Sequence, residues 1–302
     1  MQDVREFESH TLRHRLSGVL ILTDPQLLEL ALQPFRALEE LAIPAAYERS
    51  AKFECGLLTS QRYLLGVPTT QVESARLIEA ARRLNPPSTV LDRFRHLIVG
   101  ASTVLFGFEG DERGAVFKLY TEHLSRVSTR SSDRLKVDLF TGFKWDAVAG
   151  KTVAETRYRY SDRIEITDLH EKIDGFLSVR GLEELRLPAS ELTNRVAESG
   201  VSFDPFWLEI SEVNQPIRAF DINCYPAGLF LGDVGGALMR VSKSFGVGHD
   251  ALEKLLDVAG AFRLGHLSAG ESRQGQSFFT VYFEPVDHDS RFKQARIEPP
   301  NV

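Results

Sequence analysis

The chain has 302 residues, 43% of them hydrophobic and 26% charged, and a formal net charge of −6. That composition suits a globular protein with a substantial core. The acidic balance argues against a non-specific nucleic-acid binder, which depends on many phosphate contacts. No run of about 18 apolar residues occurs, so no membrane-spanning helix is expected. The first residues show no basic stretch followed by an apolar one, so no signal peptide is expected. Two cysteines, Cys55 and Cys224, stand far apart without zinc spacing, which suits a reducing cytoplasm.

Residues 1–23 are a lead-in. Asp24-Pro25 then offers an N-cap followed by a first-turn proline. Leu27, Leu28, Leu30, Leu32, Phe35, Leu38 and Leu41 form an apolar stripe, so a helix is predicted over 24–42. A hairpin follows at 47–67, then a helix over 70–84 that Asn85-Pro86-Pro87 ends. This helix–strand–strand–helix unit repeats in outline. A short helix at 88–98 leads to strands at 102–109 and 115–123, joined by a turn over 109–114. A loop rich in Ser and Arg precedes strands at 137–147 and 152–161, and a helix follows at 165–178. The rest reads as a helix at 188–199, strands at 203–212 and 216–225, helices at 228–245 and 249–259, and strands at 261–269 and 277–284. The tail after Pro285 is polar. Ten antiparallel strands in five hairpins would close into one α+β barrel domain over 1–302, ringed by outer helices. Two domains with open sheets are the alternative.

The chemistry lies in the pattern within the strands. In the first hairpin, period two puts Glu48, Ser50, Lys52 and Glu54 on one face and Arg49, Ala51, Phe53 and Cys55 on the other. Later second strands carry similar polar rows: Lys118, Tyr120 and Glu122; Asp221, Asn223 and Tyr225; Thr280, Tyr282 and Glu284. Residues 155–160 offer Arg and Tyr on alternating faces. Arg62 opens the second strand of the first pair, and Arg273 stands just before the last strand. One such row alone also describes a solvated strand face. Their recurrence points to a polar lumen. Lys and Arg there could hold a departing diphosphate. Tyr rings could shield a carbocation, at about 0.5–2 kcal/mol per ring. The wall would keep water out. Together these describe allylic prenyl transfer.

Other motifs carry less. Gly150-Lys151-Thr152 resembles the end of a P-loop, but its first glycine would fall at Trp145. His10 and His14 have helical metal spacing without a third ligand, and no Asp-Asp-x-x-Asp run exists. His266 reads as a strand residue passing the lumen, with a role as base the weaker alternative.

The stretch Glu48-Arg-Ser-Ala-Lys-Phe-Glu54 through Arg62-Tyr-Leu-Leu65 resembles the first hairpin of the cyanobactin-type peptide prenyltransferases. Weaker matches fall at Lys118, at Gly150-Lys151 with Glu155, at Ser211 to Pro216, and on the last strand. That family has the ABBA fold, a prenyltransferase barrel with a lumenal active site. The resemblance implies Glu48 as the base that takes the acceptor's proton. It implies diphosphate binding by Arg62, Lys118, Tyr120 and Arg273. It implies an isoprenoid and acceptor pocket of Tyr158, Phe206, Trp207, Asp221, Asn223, Tyr225 and Tyr282, with bulk at Phe206 or Trp207 favouring a five-carbon donor. Dimethylallyl diphosphate, Mg²⁺ on that diphosphate and a ribosomally made, cyclic peptide follow as donor, cofactor and acceptor. A monomer in the cytoplasm, with no nucleic-acid or membrane partner, is expected. A free aromatic acceptor, or a non-catalytic binding barrel, are the alternatives. Tyr120 with Glu122, and Asp221 with Asn223, stand where that family carries more basic residues; the extra carboxylates would suit a cationic acceptor.

Overall fold

The structure, a computed structural model, describes residues 24–43, 45–128, 137–163, 165, 168–199 and 206–284. His10 and His14 lie outside them. Ten strands form the frame: β1 Ala46–Glu54, β2 Leu57–Pro68, β3 Thr103–Asp111, β4 Gly114–Glu122, β5 Val137–Asp146, β6 Thr152–Arg163, β7 Phe206–Glu212, β8 Ile217–Asn223, β9 Arg263–Glu271 and β10 Ser277–Glu284. Each pairs antiparallel with its neighbours in sequence, and β1 pairs with β10 to close the barrel. The open-sheet arrangement is thereby excluded.

Helices cover the outside. The longer ones are α1 Pro25–Glu39, α2 Ser74–Arg82, α3 Ser88–Leu97, α4 Leu169–Val179, α5 Arg186–Glu198, α6 Gly235–Ser244 and α7 His249–Ala259. Asp24 caps α1 by accepting a hydrogen bond from the Gln26 N–H at 2.8 Å. None of the described helices is long and apolar enough to cross a membrane.

Alternation along the strands sorts the side chains. Outward residues of β2 to β5, among them Tyr63, Phe106, Phe117 and Trp145, pack with α1, α2 and α3 into one apolar layer. Outward residues of β1 and β7 to β10 pack with α4 to α7 into another. Polar groups in these layers bind backbone. The Tyr63 hydroxyl donates to the Ala31 carbonyl at 2.5 Å, and Trp145 Nε1 donates to the Leu84 carbonyl at 3.1 Å. The bonds tie α1 and the turn after α2 to the wall, and each satisfies a buried donor.

Two boundaries differ from the sequence reading in ways that matter for the site. β3 runs on to Asp111, so the predicted six-residue turn shrinks to Glu112 and Arg113. Asp111 makes this tight connection by accepting from the Arg113 N–H at 2.8 Å, and Gly114 takes φ of 142°. Glu109 therefore lies inside the strand rather than at its junction with the turn. The predicted helix over 228–245 is helical only from Gly235, after short 3₁₀ turns at Tyr225–Ala227 and Leu231–Val234. Pro226 and Gly228, the latter with φ of 69°, break the chain here, and Tyr225 stands on the first turn rather than on β8.

Trp207 of β7 stacks on Phe220 of β8 with centroids 4.6 Å apart, and Phe176 of α4 meets it edge-on. Trp207→Ala should cost about 3–5 kcal/mol by opening a cavity in this outer layer. Urea unfolding would measure it; a loss below about 1 kcal/mol would show that the indole is not packed as described.

Candidate active site in the lumen

The inward rows come from every strand, and they fall into three groups. The first is cationic. Arg62 of β2, Lys118 of β4 and Lys144 of β5 converge on Glu109 of β3, with Lys52 of β1 nearby. The strand register makes this happen: Arg62 faces Glu109 across β2 and β3, and Lys118 faces Lys144 across β4 and β5. Lys118 Nζ lies 2.6 Å from Glu109 Oε2, and Arg62 Nε lies 3.3 Å from the same oxygen. Burial works against the Glu109 charge, but Arg62 and Lys118 outweigh it and hold the carboxyl well below its usual range. Burial pushes the Lys118 ammonium down, and Glu109 only partly offsets burial and the fields of Arg62 and Lys144. Lys52 pairs with Glu54 at 2.8 Å. Among the described residues, Arg62 Nε and Nη1 find no hydrogen-bond acceptor in good geometry although both are buried. Several buried cations share one central carboxylate, an arrangement suited to an anion.

The second group is aromatic. Tyr120 of β4 and Tyr158 of β6 meet edge to face at 5.9 Å, and Tyr282 of β10 stands 6.0 Å from His266. Tyr158 and Tyr282 both feel the Arg62 charge, and Tyr282 also feels Glu48, so these rings stand between the cations and the base. Burial raises all three phenols, Tyr158 to about 12 and the others well above the ordinary value. They stay protonated, so they offer ring faces to a cation without acting as phenolate nucleophiles. The Tyr120 ring lies against Gly142 of β5, where a methyl group would collide with it.

The third group surrounds Glu48 of β1. The Tyr225 hydroxyl donates to Glu48 Oε1 at 2.8 Å. Asn223 Oδ1 accepts the Tyr225 N–H at 3.0 Å, and Arg263 donates to the Tyr225 carbonyl at 2.8 Å, so both fix that tyrosine. His266 of β9 sets Nδ1 2.7 Å from Asp221 Oδ1 and presents its ring edge-on to Tyr225 at 5.6 Å. Gly265 leaves the space for this contact: a methyl there would lie 2.8 Å from the Tyr225 hydroxyl and 2.9 Å from Glu48 Oε1. Burial raises Glu48 to about 7, and Asp221 and Glu284 raise it while His266 and Tyr225 lower it. Burial pushes His266 down, but Asp221 and the neighbouring carboxylates outweigh it and bring the imidazole to about 9. Glu48 is thus a carboxylate tuned to change state near neutrality, beside an imidazolium.

The structure gathers Glu48, Arg62, Lys118, Tyr120, Tyr158, Asp221, Tyr225 and Tyr282 around one lumen, and redistributes the rest. Tyr120 sits with the tyrosines and also within the fields of Arg62 and Glu109, so it borders the cation cluster. Asn223 steadies Tyr225 through its backbone. Arg273 is a correction: it stands on the β9–β10 turn, 46% exposed, and pairs with Glu212 at 2.7 Å, because the strand ends before it. Trp207 is a second correction: its parity on β7 turns it outward into the helix layer, so it does not limit the lumen. The Phe206 side chain lies outside the described residues. Glu109 and Lys144 were missed. Lys144 shares parity with Gly142 on β5, a signal that period two offers; Glu109 was hidden by the turn assignment. The cation cluster offers no protein-side seat for magnesium, since its ligands are Arg and Lys and its carboxylate is engaged by them. Among the described residues, the group spaced for a metal is His249, Asp250 and Glu253, exposed on α7.

No protein-family model matches the sequence, and no curated protein matches it. Solved structures do match. The 6-dimethylallyltryptophan synthase from Micromonospora olivasterospora, solved with DMASPP and Trp, is 15% identical with a TM-score of 0.57 over 89% of this chain and 96% of that one. PriB, solved with product diphosphate, is 13% identical with a TM-score of 0.54 over 89% and 93%. The NotF prenyltransferase is 12% identical with a TM-score of 0.52 over 79% and 80%. The fold is the ABBA prenyltransferase barrel. At these identities the likeness speaks for the architecture, and the chemistry of the lumen rests on its own residues.

Were Glu48 the base, the pH profile would have a direction. Only the carboxylate accepts a proton, and its pKa stands at about 7. Turnover should therefore rise as pH passes through about 7, and Glu48→Gln should lower kcat by about 10²–10⁴-fold without that limb. An acid limb near pH 4–5 in the natural enzyme would contradict the buried, raised carboxylate.

Proposed function

We propose that the protein is a prenyltransferase that moves a dimethylallyl group from dimethylallyl diphosphate to a nucleophilic group of an acceptor. The observation that carries this reading is the order of the three groups in one lumen. Buried cations lie toward one end, tyrosine faces come next, and a hydrogen-bonded carboxylate lies beyond them. Lys52 and Glu48 mark the two ends on the same face of β1. Four residues at about 3.3 Å each separate their Cα atoms by roughly 13 Å, enough for a diphosphate, a five-carbon chain and a bond-forming atom.

The steps follow from that order. Arg62, Lys118 and Lys144 hold the diphosphate and stabilise the charge that develops on it. The C1–O bond breaks and its electron pair leaves with the diphosphate. Tyr120, Tyr158 and Tyr282 surround the allyl cation and exclude water. The acceptor's nucleophile forms the new bond, and its proton passes to Glu48. Tyr225 and the His266–Asp221 pair keep the Glu48 carboxylate aimed at that proton.

The acceptor in this reading is a side chain of a ribosomally made peptide, from the resemblance of the first hairpin. The second reading is a free aromatic compound such as tryptophan, favoured by the fold likeness to a synthase solved with Trp. Mass spectrometry separates them. The protein would be incubated with dimethylallyl diphosphate and either cyclic and linear peptides or free aromatic amino acids. A gain of one C5H8 unit on a peptide side chain supports the first reading, and on free tryptophan the second. No transfer to either, with no diphosphate released, would overturn prenyl transfer and leave a binding barrel. Arg62→Ala should weaken donor binding at least about ten-fold while leaving acceptor binding nearly unchanged, as a lost charge-assisted contact to phosphate requires. Equal losses for both ligands, read by calorimetry, would point to a folding defect.

A further inference from the structure

Prenyl transfer itself has no use for Glu109. An anion site needs cations, yet this one has a buried carboxylate at its centre, 2.6 Å from Lys118 Nζ and 3.3 Å from Arg62 Nε. Arg62 itself is 4% exposed, and its Nε and Nη1 find no well-directed hydrogen-bond acceptor among the described residues. The Arg62–Glu109 contact is therefore an ion pair off the hydrogen-bond direction, not the bidentate fork that Arg forms with a well-placed carboxylate. It neutralises charge but leaves donors open. A diphosphate has the oxygens to take those donors.

A carboxylate in that place acts in opposite senses on the empty and the filled site. In the empty site it offsets the repulsion among Arg62, Lys118, Lys144 and Lys52, which all bear on it. In the filled site it becomes a like charge beside the bound anion, in a wall where screening by water is weak. We propose that Glu109 is a resident counter-anion of the diphosphate site, holding Arg62 and Lys118 when the site is empty and competing with product diphosphate for them. The inference rests on the prenyl-transfer reading of the same lumen. Its consequence is faster clearance of the leaving group: diphosphate is bound firmly enough to depart from the allyl carbon, but not so firmly that it stays.

The test uses inorganic diphosphate as the probe, titrated calorimetrically into the full chain. The natural protein should bind it, and Glu109→Gln should bind it at least ten-fold tighter. The empty Glu109→Gln protein should also melt below the natural one and regain that loss when saturated with diphosphate. Equal or weaker binding by Glu109→Gln, with normal binding by the natural protein, overturns the inference while leaving prenyl transfer standing. No binding of diphosphate by the natural protein overturns the prenyl-transfer reading itself. If Glu109→Gln does not fold, the pair Lys118→Met and Lys118→Met/Glu109→Gln replaces it, since the double variant restores the charge balance. The same ten-fold tightening, now through Arg62 and Lys144, is expected between those two, and its absence overturns the proposal.

Discussion

Closure of the sheet is the constraint on which the rest depends. Backbone pairing of β1 with β10, from Arg49 opposite Phe283 to Phe53 opposite Phe279, leaves no free edge and converts two strand faces into an outside and an inside. The outer face can then be apolar over β1 to β5 and β7 to β10, where helices cover it. The inner face can be charged, because no helix needs to pack there. Had the sheet stayed open, Arg62, Lys118 and Glu109 would meet bulk water, and their mutual fields would be screened to little. Closed, the same side chains shift one another strongly and hold each other in a fixed arrangement.

Burial then does the chemistry's tuning. It lifts Glu48 to about 7 and keeps Tyr158 protonated up to about 12, so one group can accept a proton at neutral pH while its neighbours remain neutral rings. The same burial makes the Lys118 ammonium reluctant to stay charged alone. A polyanionic donor relieves that reluctance. Substrate binding and site electrostatics are thus complementary: the empty lumen is held by Glu109, and a diphosphate would supply the charge that the cations lack.

Much of this was legible in the sequence, for a physical reason. A strand covered on both sides but polar on one has a period-two signature, and Glu48, Ser50, Lys52 and Glu54 show it without help. Hairpin spacing then gave the ten strands. What the pattern does not encode is where a strand stops. Glu109 read as the end of its strand and the start of a turn because Gly110, Asp111 and Gly114 follow, whereas Asp111 closes a two-residue connection and leaves Glu109 inside the strand. Arg273 was read between the last two strands and stands there, but exposed and paired with Glu212 rather than turned into the lumen. Trp207 was one of two adjacent candidates, and alternation along β7 sends its ring outward, opposite Ile222 and onto Phe220. Gly142 and Gly265 could not be read at all, since the space they leave is defined by Tyr120 and Tyr225 from other strands.

The central claim is that the two ends of the lumen have separate tasks. A non-ionising thiolo analogue of dimethylallyl diphosphate isolates one of them, because it binds without reacting. Calorimetric titration into Glu48→Gln and Lys118→Met measures both ends against it. The account predicts that Glu48→Gln binds the analogue within about two-fold of the natural protein, while Lys118→Met loses at least about ten-fold, the loss of a charge-assisted contact to phosphate. Equal losses in the two variants, with both folded, would show that the lumen is a single undivided polar site and would contradict the account.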